Sequence, residues 1–354
     1  MKILLIHNYY RQRGGEDEYF DSLVKLLKDN GHHIILFTKK SKEIISFNQK
    51  IESIRSLFGF NYKINKQLSQ LIKNEGPDIA HFHNIYPLIG PSAYLVCKEN
   101  KIPIVQTIHN YRLLWPKGIF YSAGRSRFYS LFLSISIFFN IKKKIYNLID
   151  HYIFPSRFTR DFYLKNALFK IKDHTIVPHF VNIKISTKPI KKSNYFLFAG
   201  RFSQEKGIIP LLQIFSKLPK NNLIVIGDGP QKKTVDSYKK YKNIEILNWL
   251  NKKLLYRYIQ KSLAVIVPSL SFEVMPLTPI ESNILGTTVI VPKTKVFQET
   301  IKNNVVFFKF GDFLDLKDKI IKLHNSKLKP KIDYYSYSPE SHYSFLMSIY
   351  KNYI

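Results

Sequence analysis

The sequence predicts an α/β protein of two domains, each built on a parallel sheet. With 354 residues, the chain is too long for one average domain and long enough for two that each bury a core. Short apolar runs of strand length alternate with longer segments of helical spacing, which is typical of parallel βα units rather than hairpins. These runs form two successive series, so we expect the same architecture to occur twice.

Six strands are predicted in each series. Those of the first are Ile3–Ile6, Ile34–Phe37, Ile79–Phe82, Ile104–Ile108, Tyr152–Phe154 and Thr175–Val177. Those of the second are Tyr195–Phe198, Leu223–Ile226, Ile244–Leu247, Ala264–Val267, Thr288–Val291 and Val305–Phe308. Each series describes a Rossmann-like domain, and we expect the two domains to face one another across a cleft.

The domain boundary is predicted from a change in composition. Residues 182–194 contain Lys, Ser, Thr and one Pro with little apolar periodicity, which is typical of a surface connection. We therefore predict an N-terminal domain over 1–181, a linker over 182–194 and a C-terminal domain over 195–335. Residues 336–354 are expected to form a C-terminal helix that packs back on the N-terminal domain.

Composition restricts the partners and the compartment. The net charge of +30 implies an anionic partner, and nucleic acid, an anionic membrane and a phosphorylated substrate all satisfy it. The single cysteine, Cys97, excludes an internal disulfide and a zinc site made from several cysteines. The apolar run at the start is too short for a signal-peptide core, so a cytoplasmic protein is expected.

Two acidic residues separated by seven others are the sharpest chemical signal. Glu273 follows the predicted strand Ala264–Val267, and Glu281 lies in a helix that Pro279, tolerated in a first helical turn, helps to start. At the carboxyl edge of a parallel sheet, both carboxylates would point into the crevice where such sheets bind ligands. Carboxylates bind sugar hydroxyls well. The simpler alternative is two solvated acids, against which the apolar neighbours of Glu273 argue.

A second signal joins glycines to two cations. Gly200 ends the first predicted strand of the second series, and Arg201 and Lys206 follow it, before Gly207. Arginine supplies a rigid fork of donors and lysine a point charge, which together suit the oxygens of a diphosphate. We therefore expect no metal cofactor. An ordinary strand-to-helix loop with two exposed bases is the alternative.

The N-terminal series carries weaker signals. Gly14 and Gly15 follow the first strand and allow close backbone approach, but the third glycine of a dinucleotide fingerprint is missing, so NAD binding is not expected. His109 lies just past a strand end on the same predicted edge, although a lone histidine is more often structural. His81 and His83 flank another strand without a third ligand at metal spacing, and we interpret them as packing or acceptor-side residues.

One apolar segment departs from the alternating pattern. Phe128–Ile141 is mostly apolar, with Arg125 and Arg127 before it and Lys142–Lys144 after it. It is too short to span a bilayer. We predict either a buried helix or an interfacial helix whose basic flanks, within residues 125–144, lie on an anionic membrane surface.

Taken in order, the motifs resemble the retaining glycosyltransferases of family 4, which have the GT-B fold, and the resemblance covers nearly the whole chain. It is carried by Gly14-Gly15, His109, the Gly-Arg-x4-Lys-Gly pattern of Gly200–Gly207, the Glu-x7-Glu pair Glu273 and Glu281, Phe154–Phe158 and Gly227–Pro230.

The resemblance implies a role for each of these residues. A nucleotide-sugar donor would be bound by Gly15, Arg201, Lys206, Leu277 and Glu281, with the cations on the diphosphate and Glu281 on the ribose. The catalytic pair would be His109, which lines the sugar site, and Glu273, which contacts the transferred sugar. We also expect Gly14 and His83 to bind the acceptor, His83 because of its position beside a strand rather than by the resemblance. Many members have glycine where this chain has Pro276, so backbone contact with phosphate would come from Met275 or Leu277.

The implied reaction is transfer of a sugar from a nucleotide diphosphate to a hydroxyl of a lipid-linked or membrane-associated glycan, in polysaccharide or lipopolysaccharide biosynthesis. The enzyme would work as a peripheral protein at the inner face of the plasma membrane. A covalent route to retention needs a carboxylate close below the anomeric carbon, and no residue is an obvious nucleophile. The resemblance therefore implies retention without a covalent intermediate.

Two other functions compete with this interpretation. The first is a sugar-nucleotide epimerase or a glycogen-type synthase of the same fold, and an epimerase would change the donor without any acceptor. A basic nucleic-acid-binding protein would use the net charge and the many aromatic residues for phosphate contact and stacking, but the charges are scattered and no recognition motif is present, so nucleic acid is not expected as a partner.

Overall fold

The structure, a computed structural model, describes seven stretches of the chain. They are residues 1–11, 14–43, 61–114, 118–120, 143–183, 191–323 and 335–354. The basic-flanked segment Phe128–Ile141 lies outside them. Strands and helices are numbered in chain order within the described residues.

The described residues form two compact units. The first contains those within Met1–Gly118, Arg127–Phe180 and Ser336–Ile354, and the second contains Ile119 and Phe120 with those within Val181–Tyr335. The sequence assigned residues 119, 120 and 181 to the N-terminal domain. Phe120 belongs to the second unit because its carbonyl accepts a hydrogen bond from the backbone N–H of Phe272, a residue of that unit, at 2.9 Å.

The first unit is built on a parallel sheet of six strands. They are β1 Lys2–Tyr9, β2 His33–Lys40, β3 Ile79–Phe82, β4 Ile104–Thr107, β5 His151–Phe154 and β6 Asp173–Ile176, in the order β2-β1-β3-β4-β5-β6. The strands β3, β4 and β5 are buried along their whole length, as expected for parallel strands covered on both faces. The six predicted runs overlap these six strands.

Helices that alternate with these strands in the described residues include α1 Gly15–Asp29, α2 Tyr62–Glu75, α3 Ser92–Glu99 and α4 Arg157–Asn166. Polar residues start two of them, because Asn61 accepts a bond from the Ile64 N–H at 3.2 Å and Ser156 one from the Thr159 N–H at 3.2 Å. The acidic residues in the first turn of α1 lie at the positive end of the helix dipole. Local sequence therefore fixes where these helices begin.

The second unit has a sheet of the same kind. Its strands are β7 Phe196–Ala199, β8 Leu223–Ile226, β9 Ile244–Leu247, β10 Ala264–Ile266, β11 Thr288–Pro292 and β12 Val305–Phe308, all parallel and in the order β12-β11-β10-β7-β8-β9. The first strand, β7, lies in the middle, so the chain winds out from it in both directions. This is the doubly wound order of a Rossmann fold, which confirms the predicted architecture.

Six helices belong to the second unit: α5 Ile208–Phe215, α6 Lys232–Asp236, α7 Lys252–Lys261, α8 Leu277–Ile284, α9 Lys295–Thr300 and α10 Phe313–Leu323. Apolar side chains of α5 and α10, including Leu211, Phe215 and Leu316, form a buried core with Phe196 and Leu223 of the sheet. Helix α8 contains both Pro279 and Glu281, as predicted.

A helix after the second unit belongs to the first. Helix α11 (Pro339–Tyr350) starts at Ser338, whose side chain accepts a bond from the Ser341 N–H at 3.2 Å. Its residues Leu346 and Tyr350 are fully buried in the core formed with Phe20 of α1. The chain therefore leaves the first unit, builds the second and returns. Across the described stretches, no helix combines the length and apolar character needed to cross a bilayer.

Candidate active site

The strand orders identify one edge of each sheet as the place for chemistry. In the first unit β1 lies between β2 and β3, and in the second β7 lies between β8 and β10, so the winding direction reverses next to the first strand of each unit. Open parallel sheets bind ligands beyond the carboxyl ends of the strands at such a reversal. Residues that follow β1, β3 and β4, and residues that follow β7 and β10, are therefore the candidates.

In the second unit, the loop after β7 packs tightly on the loop after β10. Gly207 has φ of +68°, and a Cβ added there would lie 2.0 Å from the carbonyl oxygen of Pro268. Only glycine fits, because a side chain would be strained by the dihedral angle and would overlap the backbone. The Leu270 N–H also donates to the Glu205 carbonyl at 2.8 Å. The position of Lys206 relative to residues 268–273 is thus set by backbone contacts.

These contacts bring two predicted site residues together. The Lys206 ammonium lies 2.8 Å from Oε1 of Glu273, and the Ser269 hydroxyl donates to the same oxygen at 2.5 Å. The Glu273 side chain is mostly buried, at 14% exposure, whereas Lys206 is one-third exposed. Sequence reasoning gave these residues separate roles, and it missed Ser269.

A second turn supports the same loop. Gly227 and Gly229 follow β8, and Cβ atoms added there would lie 1.9 Å from the Gly200 carbonyl oxygen and 2.5 Å from that of Phe202. The Phe202 N–H also donates to the Asp228 carbonyl at 2.8 Å. The turn therefore fixes the backbone on both sides of Arg201.

The second acidic residue, Glu281, lies inside α8 and is only 4% exposed. Its Oε1 accepts hydrogen bonds from the Lys252 ammonium at 2.6 Å and the Tyr256 hydroxyl at 2.9 Å. Burial, followed by the charge of Glu281, raises the pKa of Tyr256. Sequence reasoning missed Lys252 and Tyr256. They lie one turn apart on α7, but no local pattern links them to a glutamate 25 or more residues away.

The remaining predicted donor contact falls on the backbone at the start of α8. Helix α8 begins at Leu277, directly after Pro276. The first N–H groups of a helix have no partner inside it and are suited to binding phosphate oxygens. Pro276, which caps the helix, has no N–H, so the first N–H of α8 is that of Leu277.

In the first unit, the glycine pair lies at the start of α1. Gly14 is extended and Gly15 is the first helical residue. The buried carboxylate of Asp17 accepts bonds from the Gly14 N–H at 3.2 Å and from Nε2 of His7 at 2.9 Å. Asp17 therefore holds the glycine turn against the end of β1.

The first turn of α1 and the loop that contains His109 are in contact. The side-chain amide of Asn110, next to His109, lies 3.3 Å from Oε2 of Glu16, which also accepts from the Tyr10 hydroxyl at 2.9 Å. Burial is the main reason that the pKa of Glu16 is raised, and that of Tyr10 is raised by burial and by the Glu16 charge. The residues after β4 and the first turn of α1 thus form one polar cluster.

His109 itself is surrounded by other histidines. Its Nε2 lies 2.9 Å from Nδ1 of His83, and its Nδ1 lies 3.0 Å from Nε2 of His179. Burial and then the neighbouring imidazoles lower the pKa of His109 well below its usual value. His83, which was predicted to contact an acceptor, is 3% exposed and contacts His109 through its Nδ1.

The imidazoles are not arranged around a metal. Metal ligands must converge on one point, whereas His83 and His179 contact different nitrogens of His109. Within the seven described stretches, no group of three or more His, Cys, Asp or Glu side chains has a geometry that could hold a metal ion.

Sequence reasoning missed His179, although a signal for it exists. It follows β6 as His83 follows β3 and His109 follows β4, so all three lie beyond the carboxyl ends of strands in one sheet. The order of the strands, which the sequence does not reveal directly, is needed to see that they can meet.

Comparison with known proteins agrees with this architecture. The sequence model described as Glycosyltransferase Family 4 matches residues 13–184, and the one described as Glycosyl transferases group 1 matches residues 181–338. An uncharacterized glycosyltransferase of Methanocaldococcus jannaschii is 26% identical over 340 residues, which cover 92% of this chain and 89% of the relative. The alpha-monoglucosyldiacylglycerol synthase of Acholeplasma laidlawii is 23% identical over 285 residues, covering 69% of this chain and 65% of that enzyme.

Among solved structures, the Anabaena protein HepE in complex with UDP-glucose has a TM-score of 0.71 at 13% identity, with 99% of this chain and 100% of that chain covered. At this identity the likeness shows the fold alone, and the two sequence models show the class of enzyme. None of these comparisons supports the epimerase alternative. Since the two models together extend over residues 13–338 and the two sheets match a GT-B structure, the chain is a glycosyltransferase with the GT-B fold.

Proposed function

We propose that the protein is a retaining glycosyltransferase that uses a nucleoside-diphosphate sugar and glycosylates a lipid-linked or membrane-associated glycan in polysaccharide or lipopolysaccharide biosynthesis. One observation carries the donor assignment: the Lys206 ammonium lies 2.8 Å from the Glu273 carboxylate at the carboxyl edge of the second sheet. A cation for the diphosphate and an acceptor for sugar hydroxyls are thus side by side where the fold binds ligands.

The ion pair does not prevent Lys206 from binding phosphate. An ammonium group has three donors, so Lys206 can keep its bond to Glu273 and direct another to a diphosphate oxygen. Arg201 and the N–H of Leu277 add donors of different geometry. Charge grows on the diphosphate oxygens as the bond to the anomeric carbon breaks, and donors fixed in advance stabilise that charge most effectively.

Glu281 is proposed to bind the ribose. Its buried carboxylate is compensated by Lys252 and held by the Tyr256 hydroxyl, so its orientation is fixed before a ligand arrives. A carboxylate accepts hydrogen bonds from two adjacent hydroxyls, which is the arrangement that a ribose offers. Lys252 and Tyr256 would then act on the donor by positioning Glu281.

The comparisons support the choice of substrates. HepE was crystallised with UDP-glucose, which favours a nucleotide-sugar donor for a chain of the same fold. The name of the Acholeplasma enzyme identifies a glucosylated diacylglycerol as its product, which favours an acceptor held at a membrane. The first unit is proposed to bind that acceptor, near Gly14.

The donor assignment can be tested by thermal unfolding with UDP, GDP, ADP and their sugar conjugates. A ligand that binds only the folded protein stabilises it by about 2.7 kcal/mol at one hundred times its dissociation constant. Lys206→Met should raise the dissociation constant of the stabilising nucleotide sugar about tenfold to a hundredfold, since a hydrogen bond to a charged group contributes about 1.5–3 kcal/mol. Lys220→Met is the matched control, because Lys220 is exposed and precedes β8 at the opposite edge of the sheet.

Stabilisation by no nucleotide sugar, or equal effects of the two lysine changes, would contradict the proposal. With the identified donor and a glycan acceptor, turnover should survive EDTA, because Arg201 and Lys206 supply the positive charge. The product should keep the anomeric configuration of the donor, which NMR of the new glycosidic bond reports. Loss of turnover in EDTA with recovery in Mn²⁺ would remove the metal-independent mechanism.

A further inference from the structure

Three histidines of the first unit form a continuous chain of hydrogen bonds. Nδ1 of His83 lies 2.9 Å from Nε2 of His109, and Nδ1 of His109 lies 3.0 Å from Nε2 of His179. His109 thus has a histidine on each ring nitrogen. The three residues follow three strands of one sheet, so the distances are set by the fold rather than by a flexible loop alone.

Within the part of the protein that the structure describes, the outer nitrogens of this series of hydrogen bonds have no hydrogen-bond partner. His83 and His179 are 3% and 4% exposed, and among the described residues neither Nε2 of His83 nor Nδ1 of His179 has a hydrogen-bond partner. Neither end of the chain is therefore tied to a group that would fix its proton independently of the others.

This geometry couples the protonation of the three rings. A neutral imidazole has one N–H donor and one bare acceptor nitrogen, and each contact needs one of each. If His83 carries its proton on Nδ1, that N–H donates to Nε2 of His109, which must be bare. His109 then carries its own proton on Nδ1 and donates it to Nε2 of His179, which must be bare in turn. All three rings are therefore Nδ1–H tautomers or all three are Nε2–H tautomers, since any mixture breaks a contact.

Burial keeps these rings neutral. Burial is the main cause that lowers the pKa of His83 well below 6.5, and it lowers that of His179 to about 3. The pKa of His109 is lowered in the same direction. At neutral pH the chain carries no excess proton, so the pairing rule for neutral imidazoles applies.

His179 is held firmly at its end of the chain. The Tyr19 ring stacks on it with centroids 4.1 Å apart, and the Tyr19 hydroxyl lies 2.8 Å from Nε2 of His342 on α11. Nδ1 of His342 lies 2.8 Å from the carbonyl oxygen of Pro178 and must donate to it, so Nε2 accepts from Tyr19. The His342 side chain thus joins Pro178, the residue before His179, to Tyr19, whose ring stacks on His179.

We propose that His179 is a positioning residue for His109, and that His83, His109 and His179 act as one interlocked chain with a common tautomer. The proposal rests on the proposed function in one respect, the role of His109 toward the transferred sugar. With both nitrogens engaged, His109 faces its surroundings as a neutral ring of fixed orientation. Its nitrogens cannot act as a proton donor or acceptor toward substrate without breaking the chain.

Two substitutions at one position separate the hydrogen bond from the packing. His179→Phe keeps a ring to stack on Tyr19 but removes the nitrogen that contacts His109. His179→Gln loses the ring but places an amide where Nε2 was, so it can restore the contact. His33→Gln is the control, because His33 is mostly exposed and lies outside the chain.

Selective ¹⁵N labelling of histidine in the full chain reports the tautomer through two-bond proton–nitrogen correlations. In the wild type at neutral pH, His83, His109 and His179 should show the same tautomer. In His179→Phe the pattern of His109 should change and turnover should fall about tenfold with donor affinity unchanged, the loss expected for one hydrogen bond. His179→Gln should recover both, and thermal unfolding confirms that each variant is folded.

Different tautomers on the three rings in the wild type, or an unchanged His109 pattern in His179→Phe, would overturn the proposal. A changed pattern with unchanged turnover has a different meaning. If His109→Ala also leaves turnover unchanged, the coupled chain stands and the proposed role of His109 toward the sugar fails. The spectra and the kinetics therefore test the two ideas separately.

Discussion

The two units place different chemistry at the same edge of similar sheets. In the first, the residues beyond β3, β4 and β6 are imidazoles whose pKa values burial lowers, so they are neutral at neutral pH. In the second, the residues beyond β7 and β10 form an ion pair, and another ion pair joins α7 to α8. Of the eleven histidines, ten lie in the first unit, and His324 lies outside the described residues.

The difference agrees with the proposed division of substrates, with the acceptor on the first unit and the donor on the second. A nucleotide diphosphate is anionic and gains charge on its leaving oxygens, so it needs cations fixed in advance. A glycan hydroxyl is neutral, and neutral polar groups can bind it without the cost of removing water from a charge. Two units of the same fold can therefore bind different ligands, since the residues that follow the strands of the first unit are neutral and those of the second are charged.

The largest effect should come from the glycine contact in the second unit. Gly207→Ala forces a positive φ on alanine and drives its Cβ into the Pro268 carbonyl, so the free energy of unfolding should fall by about 3–5 kcal/mol. Gly31→Ala is the matched change in the first unit, since Gly31 has φ of +80° with nothing within 4 Å of an added Cβ, and it should cost only about 1–2 kcal/mol. Urea unfolding of both variants measures the difference, and equal losses would show that the contact with Pro268 is not tight.

The next largest effect should be a difference in acid sensitivity, with the first unit losing more stability than the second as pH falls. The pKa of His342 is lowered to about 4 and that of His179 to about 3, mainly by burial, whereas an unfolded histidine has a pKa of about 6.5. The unfolded state binds protons more readily than the folded state, so protonation lowers the free energy of unfolding. The contribution of these histidines to that free energy is complete above pH 6.5 and is lost as pH falls toward their pKa values in the folded protein. For His342 alone the loss is about 3 kcal/mol at pH 4.

Hydrogen exchange followed by mass spectrometry, from pH 7 to pH 4.5 and corrected for intrinsic rates, distinguishes the units. Protection in β3 and β4 should decrease with pH more than protection in β7 and β8. A parallel decrease in both sheets would show that the buried histidines do not set the acid sensitivity of the first unit.

A smaller effect is expected from single substitutions of the proposed site residues. Arg201→Met and Glu281→Gln should each weaken donor binding about tenfold to a hundredfold, whereas Glu273→Gln and His109→Ala should lower turnover in the bound complex. Titration calorimetry for binding and initial rates for turnover separate the two groups. Unchanged binding in Arg201→Met would remove the assignment of that arginine to the diphosphate.

A change of comparable size is expected at the membrane. Lys143 and Lys144 are exposed, and each basic residue near an anionic leaflet contributes about 1 kcal/mol to binding. Changing both to Gln should weaken co-sedimentation with anionic vesicles about tenfold to a hundredfold, whereas changing Lys217 and Lys220 of the second unit should not. No binding of the wild type to anionic vesicles at low salt would exclude the membrane part of the proposal.

The sheets could be predicted from sequence because buried parallel strands read as apolar runs. All twelve predicted runs overlap observed strands, and β3, β8, β9 and β12 have the predicted limits. The Glu281 helix was predictable too, since Pro279 restricts where it can begin. These signals are local, so they are visible in one short stretch of sequence.

The partners of the site residues could not be predicted in the same way. Lys206 and Glu273 are 67 positions apart, and His109 and His179 are 70 apart. Each pair meets only because of the order in which the strands are arranged. Ser269, Lys252, Tyr256 and His179 were missed for this reason, and no short motif contains them together with the residue that they contact.

The return of α11 to the first unit determines the order in which the protein can be completed during synthesis. A ribosome makes residues 1–180 first, but Leu346 and Tyr350 are part of the core that those residues form, and His342 joins Tyr19 to the backbone before His179. The second unit, whose core residues all lie within 181–335, can close as soon as that stretch has left the exit tunnel. The first half to be translated is thus the last to be finished, and its imidazole chain becomes fully enclosed only once residues 339–350 have emerged.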